Sequence, residues 1–336
     1  MSQTSFLAAL CLILSSLEYA IPKPFPFLRL GLANLPIILS IRKFSVKDIL
    51  FLALLKVLVQ ALVSGTLFSY VLVFSLVGTF ASVLVMILLA KLMPNAFSDF
   101  GLTVAGSLAN NAAQLVCSRF ILFGSSVTYV APLLLCFGLI TGCALGAFVL
   151  AFENRSEWYK RLSPQTLPSL YEVSSLTGDE KGLPRKDRIF FVLCIGLLVL
   201  FLLVRNLYVQ WSLVLIFFIM ACVRKQKPVK VLPSTLVTLS VVILSLLRPE
   251  GKVLFYLGSW RITLGSLCSG LERSGILVGM TFLSQAVIGS IKMLPGKIGK
   301  TVSQVFYCAS FLQNNKPSFV KGRVFENLDQ WLLKIY

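Results

Sequence analysis

Three prolines within five residues, Pro22, Pro24 and Pro26, interrupt an apolar stretch near the start of the chain. Each ring removes a backbone hydrogen-bond donor and clashes with the preceding helical turn, so a lipid-facing helix cannot contain this segment. In a membrane protein, irregular backbone at membrane depth is tolerated only inside protein or along a wet cavity. The break therefore predicts a cavity-lining segment, and an ordinary loop between two helices is the alternative that the spacing leaves open.

The rest of the chain has the composition of a membrane protein. Apolar residues make up 57% of the 336 residues and charged residues 13%, and the apolar residues fall in long runs. This pattern is typical of an all-α integral membrane protein. The runs predict six spans before the middle of the chain and about four after it. The predicted spans are Ser5–Tyr19, Leu32–Ile41, Ile49–Val63, Tyr70–Leu92, Leu102–Leu122, Val130–Phe152, Ile189–Val204, Val209–Val223, Val231–Leu247 and Leu271–Ile291.

Basic residues are distributed unevenly over the loops between these spans. If the N-terminus is cytoplasmic, the inner loops hold most of the lysines and arginines, including Arg42, Lys43, Lys47 and Lys91. This asymmetry predicts a multi-pass protein of the cell (inner) membrane with both termini in the cytoplasm. The same asymmetry explains the net charge of +18, because basic residues orient the protein in the membrane and contact anionic lipid. No nucleic-acid partner is therefore predicted.

A polar segment rich in proline, serine and charge divides the chain at residues 153–187. We interpret it as a cytoplasmic linker between a membrane domain at 1–152 and a second one at 188–336 that carries a basic cytoplasmic tail. In the second domain, Lys252–Leu257 and Trp260–Thr263 flank Gly258-Ser259, which predicts a short β-hairpin. A long apolar helix is predicted to begin at Leu264.

Side chains that carry catalysis or hold metals are sparse. The chain has no histidine, its five aspartates are scattered, and its eight cysteines form no C-x-x-C pair. The commonest general base and the carboxylate clusters that hold magnesium against a diphosphate are therefore absent from the sequence. We predict that this chain by itself is not an enzyme and that it has no catalytic residue, metal site or cofactor.

Polar residues within the predicted spans are the candidate ligand-binding groups, because such residues are costly in lipid. Lys56 and Gln60 lie one turn apart, and residues 107, 111, 114 and 118 form one polar stripe on the fifth span. We expect a pocket for a small polar or anionic solute. The predicted lining is Glu18, Arg29, Asn34, Lys56, Gln60, Asn110, Asn111 and Gln114. The structural alternative is hydrogen bonding between helices and, for Lys56, an ion pair with a residue such as Glu18.

Three segments in the front half, Leu30–Pro36, Ala53–Gly65 and Val104–Leu115, resemble the family called heptaprenyl diphosphate synthase component I, or Gx transporter. The resemblance covers about residues 1–152. Lys56 stands where the family pattern has arginine, and Asn110 where it has histidine. That family is in turn similar to the six-helix substrate-binding S components of energy-coupling factor (ECF) transporters. The hairpin, long helix and basic tail of the back half resemble the transmembrane T component of the same transporters.

These resemblances imply a six-helix S-component-like bundle followed by a T-component-like region of about four helices with the hairpin. They imply a transporter component that binds and helps translocate the solute, with cytoplasmic ATPase subunits and the lipid membrane as partners. The family label implies an alternative function, a membrane accessory subunit of a polyprenyl or heptaprenyl diphosphate synthase. In that function lysines and arginines hold a lipid diphosphate, and the catalysis belongs to a partner.

Overall fold

In a computed structural model of the protein, the described residues are 3–20, 31–162, 185–204, 206–224, 231–247, 251–257, 260–288, 296–314 and 324–335. These residues are helical apart from one hairpin and the connecting turns. The front half contains α1 (Gln3–Ala20), α2 (Leu35–Ser40), α3 (Val46–Ser64), α4 (Tyr70–Leu92), α5 (Asp99–Ser118), α6 (Val127–Arg155) and α7 (Glu157–Arg161). The back half contains α8 (Arg185–Leu203), α9 (Leu207–Arg224), α10 (Val231–Leu246), β1 (Val253–Leu257), β2 (Trp260–Thr263), α11 (Leu264–Ile288), α12 (Gly296–Asn314) and α13 (Val324–Ile335).

Three of the described helices, α4, α6 and α9, are long and apolar enough to cross a membrane. Helices α1, α8 and α10 contain shorter apolar segments. The structure thus agrees with the prediction of an all-α membrane protein. Apart from the segment at Leu32–Ile41, the predicted spans, their orientation and the location of the termini stay predictions.

The predicted span at Leu32–Ile41 is wrong as a span. It is a 3₁₀ turn at Leu32–Asn34 followed by the six-residue helix α2. At 1.5 Å per residue, α2 is only about 9 Å long, far less than the hydrocarbon thickness of a bilayer. All six of its residues are buried, so the apolar run is explained by enclosure within the protein and not by contact with lipid.

Helix α5 lies between α4 and α6 and packs closely against both. Its contact with α6 is made where α6 presents glycines at every fourth residue, Gly138, Gly142 and Gly146. A Cβ atom at Gly142 would lie 2.9 Å from the Cβ of Ser107 and 3.2 Å from the Cα of Val104. The absence of side chains at these positions is therefore what allows the two helix backbones to approach.

The largest apolar core is built on α1, which packs against α3 and the C-terminal α12. Fully buried members of this core include Leu7 of α1, Leu55 of α3 and Val305 of α12. The C-terminal α13 adds Leu332 and packs on α6 and α7. The predicted division of the chain into 1–152, 153–187 and 188–336 stays a prediction, but the helices of the predicted tail pack on the front half.

In the back half, α11 packs against α8, α9 and α10. The predicted hairpin is confirmed, because β1 and β2 pair antiparallel with Leu257 opposite Trp260, and α11 begins at Leu264 as predicted. The turn residues 258 and 259 lie outside the described residues. A small apolar cluster of Leu115, Val127, Val241 and Leu277 joins α5 and α6 to α10 and α11.

The turn between α3 and α4 is hydrogen-bonded to α11 of the back half. The hydroxyl of Ser284 donates to the carbonyl of Gly65 at 2.9 Å and accepts from the amide of Phe68 at 3.0 Å. Ser69 and Thr281 place their hydroxyls 3.2 Å apart beside it. Gly65 has a φ of 75°, the left-handed conformation that ends α3 and that favours glycine. This joint fixes the α3–α4 turn of the front half on a buried serine of the back half.

Candidate functional site

The short helix α2 carries one wall of the candidate site. Gly31 enters it in the left-handed conformation, with a φ of 83°, and its carbonyl accepts from the amide of Asn34 at 2.9 Å. This tight turn places Asn34 at the start of α2, where Pro36 occupies one of the first two helical positions. Proline is tolerated there because the amide that it lacks would have no partner within the helix.

Lys56 is the centre of the site. Its side chain is buried, with a relative exposure of 6%, although it lies in the middle of α3. Its ammonium donates to the side-chain oxygen of Asn34 at 2.8 Å and to the hydroxyl of Thr79 on α4 at 3.1 Å. A buried charge is costly unless polar groups surround it, so these acceptors stabilise Lys56 at the meeting point of α2, α3 and α4.

Other polar groups lie near this ammonium. On α4, Ser75, Thr79 and Ser82 are all buried and are spaced by four and three residues, so they share one face. On α3, Gln60 lies one turn beyond Lys56, and its side-chain oxygen is buried with no hydrogen-bond partner among the described residues. Asn34 and Lys56, two residues of the predicted pocket lining, are thus in direct contact, and Gln60 adds an acceptor that a ligand donor would satisfy.

Glu18 is also buried, with a relative exposure of 6%, near the end of α1. Cys11, on the same helix, lies close enough to Lys56 to interact with it electrostatically. The predicted site residue Arg29 and the prolines at 22, 24 and 26 lie outside the described residues.

The polar stripe on α5 forms a second cluster. Gln114 donates to the side-chain oxygen of Asn110 at 3.2 Å, and Asn110 donates to that of Asn111 at 3.4 Å. Asn111 in turn donates to the backbone carbonyl of Leu134 on α6 at 2.9 Å. Asn110 and Gln114 lie against Gly78 of α4, where a Cβ atom would collide with them. These amides therefore bond to one another and to the backbone of α6.

Helix α4 lies between the helices that carry the two clusters. Thr79 belongs to the Lys56 cluster, and the adjacent Gly78 contacts the α5 cluster. The structure thus brings together Asn34 and Lys56, and separately Asn110, Asn111 and Gln114. Ligand binding by these residues stays a prediction. Ser118 donates to the carbonyl of Leu115 within its own helix, and Ser107 packs against Gly142 of α6.

The end of the bundle where α3 begins and α6 ends contains a charged cluster. Arg42 pairs with Asp99 at 2.6 Å, and Lys43 donates to the backbone carbonyl of Tyr159 while its ammonium lies 3.8 Å from the centre of that ring. Burial lowers the pKa of Lys43, although Glu153 opposes this effect. Burial, together with a hydrogen bond to Glu153, raises the pKa of the Tyr159 hydroxyl.

Asp329 of α13 completes this end of the protein by capping α7. Its carboxylate accepts from the Ser156 hydroxyl and from the amides of Glu157, at 3.1 Å, and Trp158, at 3.0 Å. These amides belong to the first turn of α7, where a carboxylate is favoured. This contact was not predicted from the sequence, since its only signal is an isolated aspartate in an amphipathic segment 172 residues from Glu157.

The glycine stripe of α6 was also missed. Its signal is the repeat of glycine at 138, 142 and 146, a small-residue spacing typical of helix contacts in membranes. Among the described residues, no group of three cysteine, aspartate or glutamate side chains is placed to hold a metal ion.

Comparison with known families divides the chain into two matched segments. Residues 7–152 match the family described as heptaprenyl diphosphate synthase component I. Residues 187–290 match a family described as a domain of unknown function, DUF8519. No curated protein and no solved structure matches the chain. The first match confirms the resemblance of the front half to that family. The resemblances to ECF components stay predictions.

Proposed function

We propose that the protein is a membrane accessory component of a polyprenyl diphosphate synthase, and that a partner subunit supplies the catalysis. The match of residues 7–152 to heptaprenyl diphosphate synthase component I is the observation that carries this proposal. The apolar helices α4, α6 and α9 support a location in a bilayer, where the long apolar product of such an enzyme accumulates.

Three aspartates of this chain support the assignment of catalysis to a second subunit. Condensation of prenyl diphosphates needs magnesium held against a diphosphate, which calls for clustered carboxylates. Asp99 is paired with Arg42, and Asp329 caps α7. Asp48 accepts a hydrogen bond from Ser45 at the start of α3. Each of these carboxylates is engaged in a local structural contact, so we assign the magnesium-dependent chemistry to the partner.

A transporter component is the second candidate function, and a specific observation favours it. The buried ammonium of Lys56 is held by Asn34, which precedes the short helix α2, and by Thr79 of α4. Interrupted helices with polar groups at mid-membrane are a common form of solute site in transporters. In this function Lys56 and the unpaired oxygen of Gln60 bind a small polar or anionic solute, and ATPase subunits are the partners.

Affinity purification in mild detergent distinguishes the two functions. The tagged chain is co-expressed with the polyprenyl diphosphate synthase subunit of the same genome, and the eluate is analysed for protein partners and for bound small molecules by mass spectrometry. The accessory function predicts co-purification of the synthase subunit in a fixed ratio, together with prenyl diphosphates. Co-purification of ATPase subunits and a water-soluble metabolite, without the synthase subunit, would instead support the transporter.

A further inference from the structure

The hairpin of β1 and β2 exposes apolar side chains on both of its faces. Four consecutive residues of β1, Val253, Leu254, Phe255 and Tyr256, have relative exposures between 41% and 65%. Successive side chains of a strand point to opposite faces, so both faces of β1 are largely uncovered by the described part of the protein. The hairpin therefore projects from the back half and does not close over its apolar core.

The base of the hairpin is fixed on α11. The carbonyl of Lys252 accepts from the amide of Leu264 at 2.9 Å, and the buried hydroxyls of Thr263 and Ser266 lie 2.8 Å apart. Strand β2 also contacts α10. An isolated two-stranded hairpin is marginally stable, so these contacts at its base give the projecting strands a defined place beside the ends of α10 and α11.

We propose that this hairpin lies in the boundary between the headgroups and the acyl chains of the bilayer. Its apolar side chains contact the upper acyl chains, and Lys252 and Arg261, both exposed, contact anionic headgroups. The apolar surface of α10 leads to this position, because its exposed residues Leu236, Leu239 and Ile243 follow a spacing of three and four and share one face. The contact does not depend on which of the two candidate functions the protein has.

The backbone of the hairpin fixes its depth in the membrane. Within the described ranges the sheet consists of β1 and β2 alone, so the outer edge of each strand carries amide and carbonyl groups without a ladder partner. Such groups cannot lie in the hydrocarbon core, where no water reaches them. In bulk water, by contrast, the apolar side chains of β1 would stay uncovered. Only the headgroup boundary hydrates the edges and covers the side chains.

The residue types of the hairpin favour lipid over a protein partner. Cross-strand pairing places Tyr256 beside Arg261, and the exposed Lys252 precedes the apolar residues of β1. Aromatic residues next to lysine and arginine are typical of the membrane interface, where the cationic groups reach anionic headgroups. The centres of protein interfaces are instead depleted in lysine.

Photo-cross-linking of the full-length chain tests this location. The photoreactive residue p-benzoylphenylalanine replaces Phe255 or Tyr256 in turn, and the chain is irradiated in nanodiscs of phosphatidylcholine and phosphatidylglycerol and in cell membranes. Leu239, exposed at the middle of α10, is the position for the lipid-facing control. Lys160 is the position for the water-facing control, because the exposed residues of α7 are all charged.

We expect lipid adducts at Phe255 and Tyr256 in yields within about twofold of that at Leu239, and at least tenfold above that at Lys160. Mass spectrometry should place the attachment in the upper half of the acyl chain for the hairpin and in the lower half for Leu239. Yields no higher than at Lys160 would overturn the proposal, since the hairpin would then lie in water. Attachment in the lower half of the chain, or adducts with a second copy or another protein, would overturn it as well.

Hydrogen exchange provides a second test that needs no photoreactive residue. Exchange of residues 252–263 is measured in nanodiscs with and without phosphatidylglycerol for the wild type and for Lys252→Gln/Arg261→Gln. We expect phosphatidylglycerol to slow the exchange of the wild type at least twofold and to have no effect in the double variant. Lys160→Gln is the matched control and should behave as the wild type. Exchange that is independent of phosphatidylglycerol in the wild type would contradict the headgroup contact.

Discussion

The ammonium of Lys56 lies 2.8 Å from the side-chain oxygen of Asn34 and thereby links the start of the short helix α2 to the middle of α3. Asn34 follows the proline-rich break, and Lys56 belongs to an otherwise apolar turn. The contact therefore links the two sequence features that most strongly indicate a site in the front half. It also gives a buried charge an acceptor where lipid supplies none.

Replacing Asn34 by alanine removes this acceptor, and we expect the protein to be destabilised. A hydrogen bond to a charged group contributes about 1.5–3 kcal/mol, so Asn34→Ala should lower the melting temperature in detergent measurably. Asn34→Asp is the matched control, because it keeps an oxygen beside the ammonium and should retain or raise the melting temperature. Equal melting temperatures for the wild type and Asn34→Ala would show that Asn34 does not hold Lys56.

The joint between the halves of the protein rests on Ser284, whose hydroxyl both donates to Gly65 and accepts from Phe68. Ser284→Ala removes the partner of the buried Gly65 carbonyl and of the half-buried Phe68 amide, which should cost about 1–3 kcal/mol for each buried group left unsatisfied. We expect faster hydrogen exchange in the α3–α4 turn, measured by mass spectrometry. Ser212→Ala is the control, since the exposed Ser212 bonds only within its own helix. Identical hydrogen exchange of this turn in Ser284→Ala and Ser212→Ala would contradict the role of Ser284 in joining the turn to α11.

The contact between α5 and α6 depends on Gly142. In Gly142→Ala the new methyl group would meet Ser107 and the backbone at Val104, neither of which can move as a flexible side chain does. Overpacking of this kind costs about 1–3 kcal/mol, so we expect a lower melting temperature and a lower yield of folded protein. Gly196→Ala on α8 is the control, because no atom lies within 4 Å of its added methyl group. An unchanged melting temperature in Gly142→Ala would contradict the close approach of α5 and α6.

Tyr159 provides a test at alkaline pH. Burial and the hydrogen bond to Glu153 raise the pKa of its hydroxyl above the ordinary value of about 10. The neutral phenol is therefore favoured by the folded state, and this stabilisation is present below about pH 10 and is lost as the pH rises through the raised pKa. We expect the stability of the wild type to fall more steeply above pH 10 than that of Tyr159→Phe, measured by thermal melting at a series of pH values. Parallel curves would contradict the buried environment of this hydroxyl.

The long elements of the fold could be predicted from the sequence, because their signals are local. The apolar runs of α4 and α6, the hairpin pattern before Leu264 and the polar character of Lys56 within α3 all depend on neighbouring residues. The error at α2 has a physical cause. Hydropathy reports that a segment is apolar, and it does not distinguish enclosure by protein from contact with lipid.

The contacts that define the candidate site depend on distant residues and could not be predicted in detail. The helical period placed Asn111 and Gln114 on one stripe, but Asn111 lies against Gly138 of α6, whereas Gln114 lies against Gly78 of α4. The partner of Ser284 lies 219 residues away at Gly65, and a serine in an apolar helix carries no sign of it. These pairings follow from the packing of the helices and not from the spacing of residues along one of them.

The central claim is that this chain is an accessory component of a polyprenyl diphosphate synthase, and a reconstituted synthase assay tests it most directly. The catalytic subunit of the same genome is assayed with radiolabelled isopentenyl diphosphate in empty liposomes, in liposomes with an unrelated membrane protein, and in liposomes containing this chain. The account predicts that only this chain brings the enzyme to the liposomes and raises the yield of long-chain product several-fold. Equal yields and equal sedimentation in all three preparations would contradict it.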